Sequence, residues 1–376
     1  KNGEPGLVFL DTINENHPLP DEIESVNVCG EQPLLPYESC LLGAVNLSHM
    51  ITEGELGDYT IDWAKLKETV HLAVRFLDNA IDVNEYPLPE LEQAAKENRK
   101  IGVGVMGWAE MLIKLNIRYG SERSISLAKT VSEFIQKNAI QASEELAKIK
   151  GAFPNFEDSD IETPRRNSVL VTVAPTGSRS FLANTSGGIE PFFSFKYTHT
   201  DGDGNTSFFE YDFTDDADED VLVTTMDISA EEHVKMQSAW QRNIGSAVSK
   251  TVNLPNDATK EDVDKIYKMA YSTGCKGITI YRDGSKTEQV LSSDDDNEEQ
   301  DIEQEKKERF APKDIGVGID SEDINLVLNE LKTEENKRGH VKDAQEEADS
   351  KRYKLNTGCG TLYLNIVFND DGEIVE

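Results

Sequence analysis

The sequence predicts an α/β fold with parallel strands buried on both faces, as in an α/β barrel or an open α/β sheet. Two observations carry that prediction. Short β-rich runs, Leu41–Leu47, Ile101–Met106, Ser168–Ala174 and Gly277–Tyr281, are apolar on successive residues, so both faces of each must be covered. Between them lie longer stretches with apolar residues every three or four positions, the pattern of helices that do the covering.

Each element has its own local signal. From Asp62 to Asn84, Trp63, Leu66, Val70, Val74, Leu77 and Ile81 form the apolar stripe of an amphipathic helix, which Pro87 and Pro89 stop. A second helix runs from about Ser121, a capping residue, to Lys150, with Ile125, Ala128, Val131, Ile135 and Leu146 on its inner face and Gly151 at its end. A third is expected from Ala230 to Ser249, and a fourth from Asp262 to Ser272, closing at Gly274. After Lys286 the character changes. Residues 289–352 read as an acidic linker, and 353–376 as the start of a small β module, with an alternating strand at Thr361–Phe368 and a turn at Asn369–Gly372. That leaves residues 1–288 as the main folded part.

Composition narrows the function. With 376 residues and 37% apolar content the chain can bury a sizeable core. Its net charge of −33, from 71 acidic against 38 basic residues, disfavours a nonspecific grip on nucleic acid or anionic lipid. The acid is thickest at Asp212–Asp220 and Asp294–Glu308, which read as solvated loop or linker. Four cysteines without a CxxC pair fit a reducing cytoplasm, and there is no signal peptide or membrane-spanning apolar run. The six histidines lack metal-ligand spacing, so no protein metal site is expected.

The densest chemical signal is NVCGE at 27–31, followed by QPLLPYESC ending at Cys40. If the segment is extended, Asn27, Cys29 and Glu31 point the same way, and an amide, a thiol and a carboxylate converge on one substrate. Taken alone, a cysteine near a glutamate also fits a small buried side chain. Pro175, Thr176, Gly177, Ser178, Arg179 and Ser180 read as a turn and helix start, suited to a phosphate or to an ordinary hydroxyl cap. The glycines at 102, 104 and 107 mimic a dinucleotide fingerprint, but no acidic residue closes a βαβ unit, and close strand–helix packing explains them.

These strings resemble the adenosylcobalamin-dependent (class II) ribonucleotide reductases. The resemblance continues in register through NGEPGLVFLD at 2–11, RKIGVGVMGWAEML at 99–112, RNSVLVTVAPTGSRS at 166–180, SGGIEPFF at 186–193, AVSKTVNLPNDAT at 247–259, GCKGITIYRDGS at 274–285 and TGCGTLY at 357–363. It implies part of a ten-stranded α/β barrel and a thiyl-radical reduction of ribonucleotides to deoxyribonucleotides, with adenosylcobalamin as cofactor. Cys29 then falls on the radical cysteine, Glu31 on the general base, Asn27 on the substrate-orienting amide and Cys40 on one thiol of the reducing pair. Residues 175–180 fall on the turn that binds the substrate's phosphates. A radical site of this kind is expected to be dry.

The resemblance also implies partners. The second redox thiol belongs to an N-terminal half that would lie upstream of Lys1, and the sequence starts in mid-pattern without methionine, so an N-terminal companion is expected. A thioredoxin- or glutaredoxin-like reductant and a homodimer are further expectations. Val28 replaces a common proline, Leu41 a common asparagine, and the terminal cysteine pair usual after TGCG is missing. A class I large-subunit fragment is disfavoured by the single Tyr281 where that class has two adjacent tyrosines, and a noncatalytic assembly remnant by the intact reacting groups.

Overall fold

The computed structural model describes residues 6–39, 41–54, 59–200, 206–211, 217–285, 291–293, 349–357 and 360–368. The chain divides into two compact units, Lys1–Ser292 and Ser293–Glu376. In the first, strands and helices follow as β1 (Gly6–Val8), α1 (Leu10–Glu15), β2 (Ser25–Val26), β3 (Pro33–Leu34), β4 (Leu42–Asn46), β5 (Ile51–Glu53), β6 (Tyr59–Ile61), α2 (Trp63–Val83), α3 (Pro89–Asn98), β7 (Gly102–Met106), α4 (Trp108–Lys114) and α5 (Glu122–Lys150). Then come α6 (Gly177–Leu182), β8 (Lys196–Thr200), β9 (Thr206–Glu210), α7 (Ala230–Gln241), β10 (Thr251–Leu254), α8 (Lys260–Ser272) and β11 (Gly277–Arg282).

The apolar runs form a row of parallel chain segments. β4 pairs with β7 from Leu42 opposite Gly102 to Asn46 opposite Met106. The row continues through parallel bridges Val103 to Val171 and Val173 to Val248. β10 then pairs with β11, and β1 closes that end antiparallel. Among the described residues this row is open and does not close on itself. The glycines at 102 and 104 permit the tight lateral approach, since a Cβ on Gly102 would lie 2.6 Å from Thr172 Cγ2 and one on Gly104 2.8 Å from the Thr172 carbonyl.

The helices cover the row as their stripes require. α2 buries Leu66, Val70, Val74, Leu77 and Ile81, and Asp62 caps it by accepting from Lys65 N at 2.9 Å. α5 starts at the Ser121 cap and buries all five inner residues expected of it. α8 starts at Lys260, earlier than expected, because Thr259 and Asp262 make a reciprocal capping box. Trp108 and Trp240 meet edge to face at 5.2 Å in the main core.

α7 corrects the expected helix 230–249, for it ends at Gln241. There the Gln241 side chain replaces the helical bonds: its Nε2 donates to the carbonyls of Ile244 and Ser246, and its Oε1 accepts from Val248 N. Residues 246–249 are thus freed to enter the row, where Val173 N donates to Ala247 O and Ser249 N to Val173 O.

One polar centre ties the helices together. Asp78, fully buried in α2, accepts from Arg99 Nε at 2.8 Å, Lys150 Nζ at 3.0 Å and Asn167 Nδ2 at 3.2 Å. Arg99 also donates to the Asp78 carbonyl and to Asp82. The ends of α3 and α5 and the entry to residues 169–174 are fixed at one point. Among the described residues no helix is long and apolar enough to cross a membrane.

In the second unit, Asp349–Thr357 pairs antiparallel with Gly360–Phe368. The turn at 369–372 and the acidic stretch 294–308 lie outside the described residues.

Candidate active site

The segment carrying Asn27, Cys29 and Glu31 is a hairpin loop, so the condition under which the three side chains would share one face of an extended run is not met. β2 and β3 pair antiparallel, Ser25 opposite Leu34 and Val26 opposite Pro33, and residues 27–32 join them. Gly30 N donates to Asn27 O at 3.0 Å, closing a tight turn whose last residue has φ +78°, which glycine adopts without strain. Asn27 Oδ1 accepts from Gln32 N at 3.0 Å, so the amide oxygen holds the loop closed. The three side chains therefore do not alternate along a strand. Cys29 stands at the apex and is exposed, whereas Glu31 sits at the base with 2% of its surface accessible.

Residues from elsewhere in the chain seat this loop. The Glu31 carbonyl accepts from Thr172 Oγ1 at 2.8 Å, Ser246 Oγ at 2.9 Å and Ala247 N at 3.0 Å, which inserts the loop between two members of the parallel row. The segment toward Cys40 is pinned by Glu38, which accepts from Leu35 N at 2.7 Å and Asn98 Nδ2 at 2.9 Å and pairs with buried Lys100. Thr172, Ser246 and Glu38 were not singled out from the sequence. Hydroxyls inside otherwise apolar runs were the signal that could have found Thr172 and Ser246.

Backbone anchoring leaves two buried side-chain atoms of the loop without partners. Glu31 Oε2 and Gln32 Nε2 are buried without a hydrogen-bond partner. Such groups cost free energy unless something completes them. Partial loss of hydration and the Glu31 charge push the Cys29 thiol up. It is held as S–H, the form that gives a hydrogen atom, and away from the thiolate a nucleophile needs.

Two buried ammoniums bond to residues that flank the loop and its seat. Lys100 Nζ donates to Pro33 O at 3.1 Å, and Lys276 Nζ to Gly245 O at 2.9 Å. Burial first, and then the Lys100 charge, push Lys276 down to about 8.

The second candidate stretch follows directly from the strand that seats the loop. Thr172 holds Glu31, and the turn begins three residues later at Pro175, ~10 Å along an extended chain. Thr176 and Ser180 are buried and committed: Thr176 Oγ1 donates to Pro175 O and accepts from Gly188 N, and Ser180 Oγ donates to Gly177 O. Gly177, Ser178 and Arg179 are exposed at the start of α6, and Arg179 Nη1 reaches Leu42 O at 3.3 Å. The six residues thus divide into a rigid base and an open rim.

Cys40 lies outside the described residues. Cys275 is fully buried beside β10 and β11, and burial pushes its thiol up to about 11, so it is a packing residue. Among the described residues no group of three or more His, Cys, Asp or Glu could hold a metal ion.

Comparison with known proteins identifies the family. Residues 1–165 and 160–281 match the family described as ribonucleotide reductase, barrel domain. The chain is similar to a vitamin B12-dependent ribonucleoside-diphosphate reductase of Mycobacterium tuberculosis, 44% identical over 77% of this chain and 46% of that protein. A protein of the same name from Thermoplasma acidophilum is 40% identical over 78% of this chain and 42% of its own length. The ribonucleoside-diphosphate reductase subunit alpha of Chlamydia pneumoniae matches over a shorter part, 38% identical over 42% of this chain. The chain spans less than half the length of these relatives. It belongs to the ribonucleotide reductase barrel-domain family and has that family's type of α/β fold.

Proposed function

We propose that this chain is the substrate-binding, radical-bearing half of an adenosylcobalamin-dependent ribonucleotide reductase, acting in the cytoplasm together with an N-terminal half. The observation that carries it is the 27–32 loop. Its backbone is fixed by three donors on one carbonyl, while its thiol is open and its carboxylate oxygen unpartnered. The breadth of similarity to B12-dependent relatives, against the shorter match to a subunit alpha, supports the choice of cofactor.

The loop suits a bulky radical source. Val28 and Cys29 are exposed at the apex, and a Cβ added at Gly30 would meet nothing within 4 Å. Val28, Cys29 and Gly30 would form the face against it. Adenosylcobalamin, when bound, supplies the removal of a hydrogen atom from a thiol.

Cys29 contributes that hydrogen atom, and its sulfur then takes the 3′-hydrogen of the ribose. Glu31 accepts the 3′-hydroxyl proton as general base while a thiol of the reducing pair protonates the 2′-hydroxyl, which leaves as water, and Cys29 finally returns the hydrogen atom to C3′. Asn27 orients the sugar, and Gly177, Ser178 and Arg179 receive its phosphates above the base formed by Pro175, Thr176 and Ser180. Two electrons come from Cys40 and a thiol of the N-terminal half, which end as a disulfide that a thioredoxin- or glutaredoxin-like protein reduces. Because Cys29 is exposed among the described residues, the dry site expected from the sequence needs the other half as its cover. Residues 1–288 would complete a ten-stranded barrel with that half, with 289–352 as linker and 353–376 opening a terminal module. A homodimer is compatible with this arrangement.

The test combines this chain with the N-terminal half, adenosylcobalamin and a dithiol. Cofactor-dependent deoxynucleotide formation that disappears in Cys29→Ser is expected. Normal nucleotide binding with no product at all would defeat the proposal.

A further inference from the structure

Segment 186–190 lies between the phosphate turn and a buried cation that the proposed chemistry leaves unused. Lys250 has 2% of its surface accessible. Its Nζ donates to Glu190 Oε2 at 2.6 Å, to Thr251 O at 3.0 Å and to His233 Nδ1 at 2.8 Å. His233 Nε2 is 3.3 Å from Thr225 O, so Nε2 carries the ring proton and Nδ1 accepts. Burial and the Lys250 charge push His233 far down, which keeps the ring neutral. The other oxygen of Glu190 accepts from Thr251 N at 2.6 Å, and Tyr119 OH donates to Ile189 O at 2.7 Å. Glu190 is thereby bound at both oxygens to the start of β10.

The opposite side of the segment touches the turn with no slack. Gly188 N donates to Thr176 Oγ1 at 2.9 Å. A Cβ on Gly187 would lie 2.8 Å from Pro175 O and 3.3 Å from Ser180 Oγ, and one on Gly188 2.7 Å from Ala174 O. Any drift of residues 186–190 must therefore move the Thr176 and Ser180 base. Lys250 is buried while Glu190 is partly exposed, and such an ion pair is seldom the cheapest way to stabilise a fold, because apolar residues of the same volume do as well. Its distinctive property is direction, since a carboxylate held at both oxygens fixes where its backbone sits.

We propose that Glu190 and Lys250 are positioning residues for the substrate's phosphates: they strap Gly187–Glu190 to β10, and that segment holds the Pro175–Ser180 turn in register. The inference rests on the phosphate role proposed above for this turn. It predicts an effect on phosphate binding and none on the hydrogen-transfer chemistry at Cys29.

The test is the double variant Glu190→Gln/Lys250→Met in the assembled reductase, which removes both charges together and leaves no buried ion unpaired. Binding of adenosine diphosphate and of adenosine is measured by calorimetry, and KM and kcat by deoxynucleotide formation. Adenosine diphosphate should bind about tenfold more weakly and KM rise to match, with adenosine affinity and kcat within about twofold of the parent. Equal losses for adenosine and its diphosphate would reduce the pair to general scaffolding and overturn the inference, as would unchanged diphosphate affinity. If Glu190→Gln alone unfolds the protein, the double variant still reports. A parent enzyme that binds diphosphate but forms no deoxynucleotide would instead sink the proposed reaction, a different result from either.

Discussion

Asp78 and Glu31 are both buried carboxylates, and they are built in opposite ways. Asp78 takes donors from an arginine, a lysine and an asparagine on separate elements. Glu31 takes three donors as well, but all on its backbone carbonyl, and its carboxylate keeps an oxygen without a partner. The first arrangement completes the charge inside the fold and serves stability. The second fixes where the side chain is while leaving one of its oxygens open, as the proposed substrate site requires.

The comparison can be broken at several points. The largest effect is expected at the loop apex: Cys29→Ser should abolish deoxynucleotide formation outright, with melting temperature unchanged because Cys29 is exposed. Next, Glu31→Gln should lower kcat by about 10²–10⁴-fold, the usual worth of a general base, with no loss of stability. Activity retained with a lower melting temperature would assign Glu31 to the Asp78 type.

Asp78→Asn should do the reverse. It leaves Arg99 and Lys150 short of their counter-charge and should cost about 3–5 kcal/mol in denaturant unfolding. Turnover per folded molecule should hold.

Lys276, bonded to a residue that flanks the loop's seat, gives a pH test. Its folded pKa of about 8 lies below the ordinary 10.5, so between those values the unfolded chain holds a proton that the folded chain lacks. The burial penalty is full below pH 8 and is relieved as pH rises. Against Lys276→Met, the parent should gain about 3 kcal/mol between pH 8 and 10.5, seen as converging unfolding free energies. The smallest effects belong to the loop's seats: Thr172→Val and Ser246→Ala should each cost about 1 kcal/mol of stability.

Much of the frame was legible from residues. α2 and α5 followed from apolar spacing and from Asp62 and Ser121 as caps, because local stripes and hydroxyl or carboxylate caps need no tertiary knowledge. The end of α7 was not, since Gln241 stops it with bonds to residues that helical periodicity cannot see. The loop's shape was missed although its signal was present. Asn27 and Gly30 stand at the first and fourth positions of a tight turn, whereas the alternation of Asn27, Cys29 and Glu31 holds only for an extended segment. Thr172, Ser246 and Glu38 escaped notice because each acts through a residue remote in sequence.

The most direct test of the central claim follows a hydrogen atom rather than a product. Adenosylcobalamin deuterated at its 5′ carbon is incubated with the assembled reductase, without reductant, and deuterium reaching water is measured. Exchange through the Cys29 S–H predicts release by the parent and by Glu31→Gln, and none by Cys29→Ser. Release by Cys29→Ser at the parental rate would contradict the assignment of residue 29 as the hydrogen carrier.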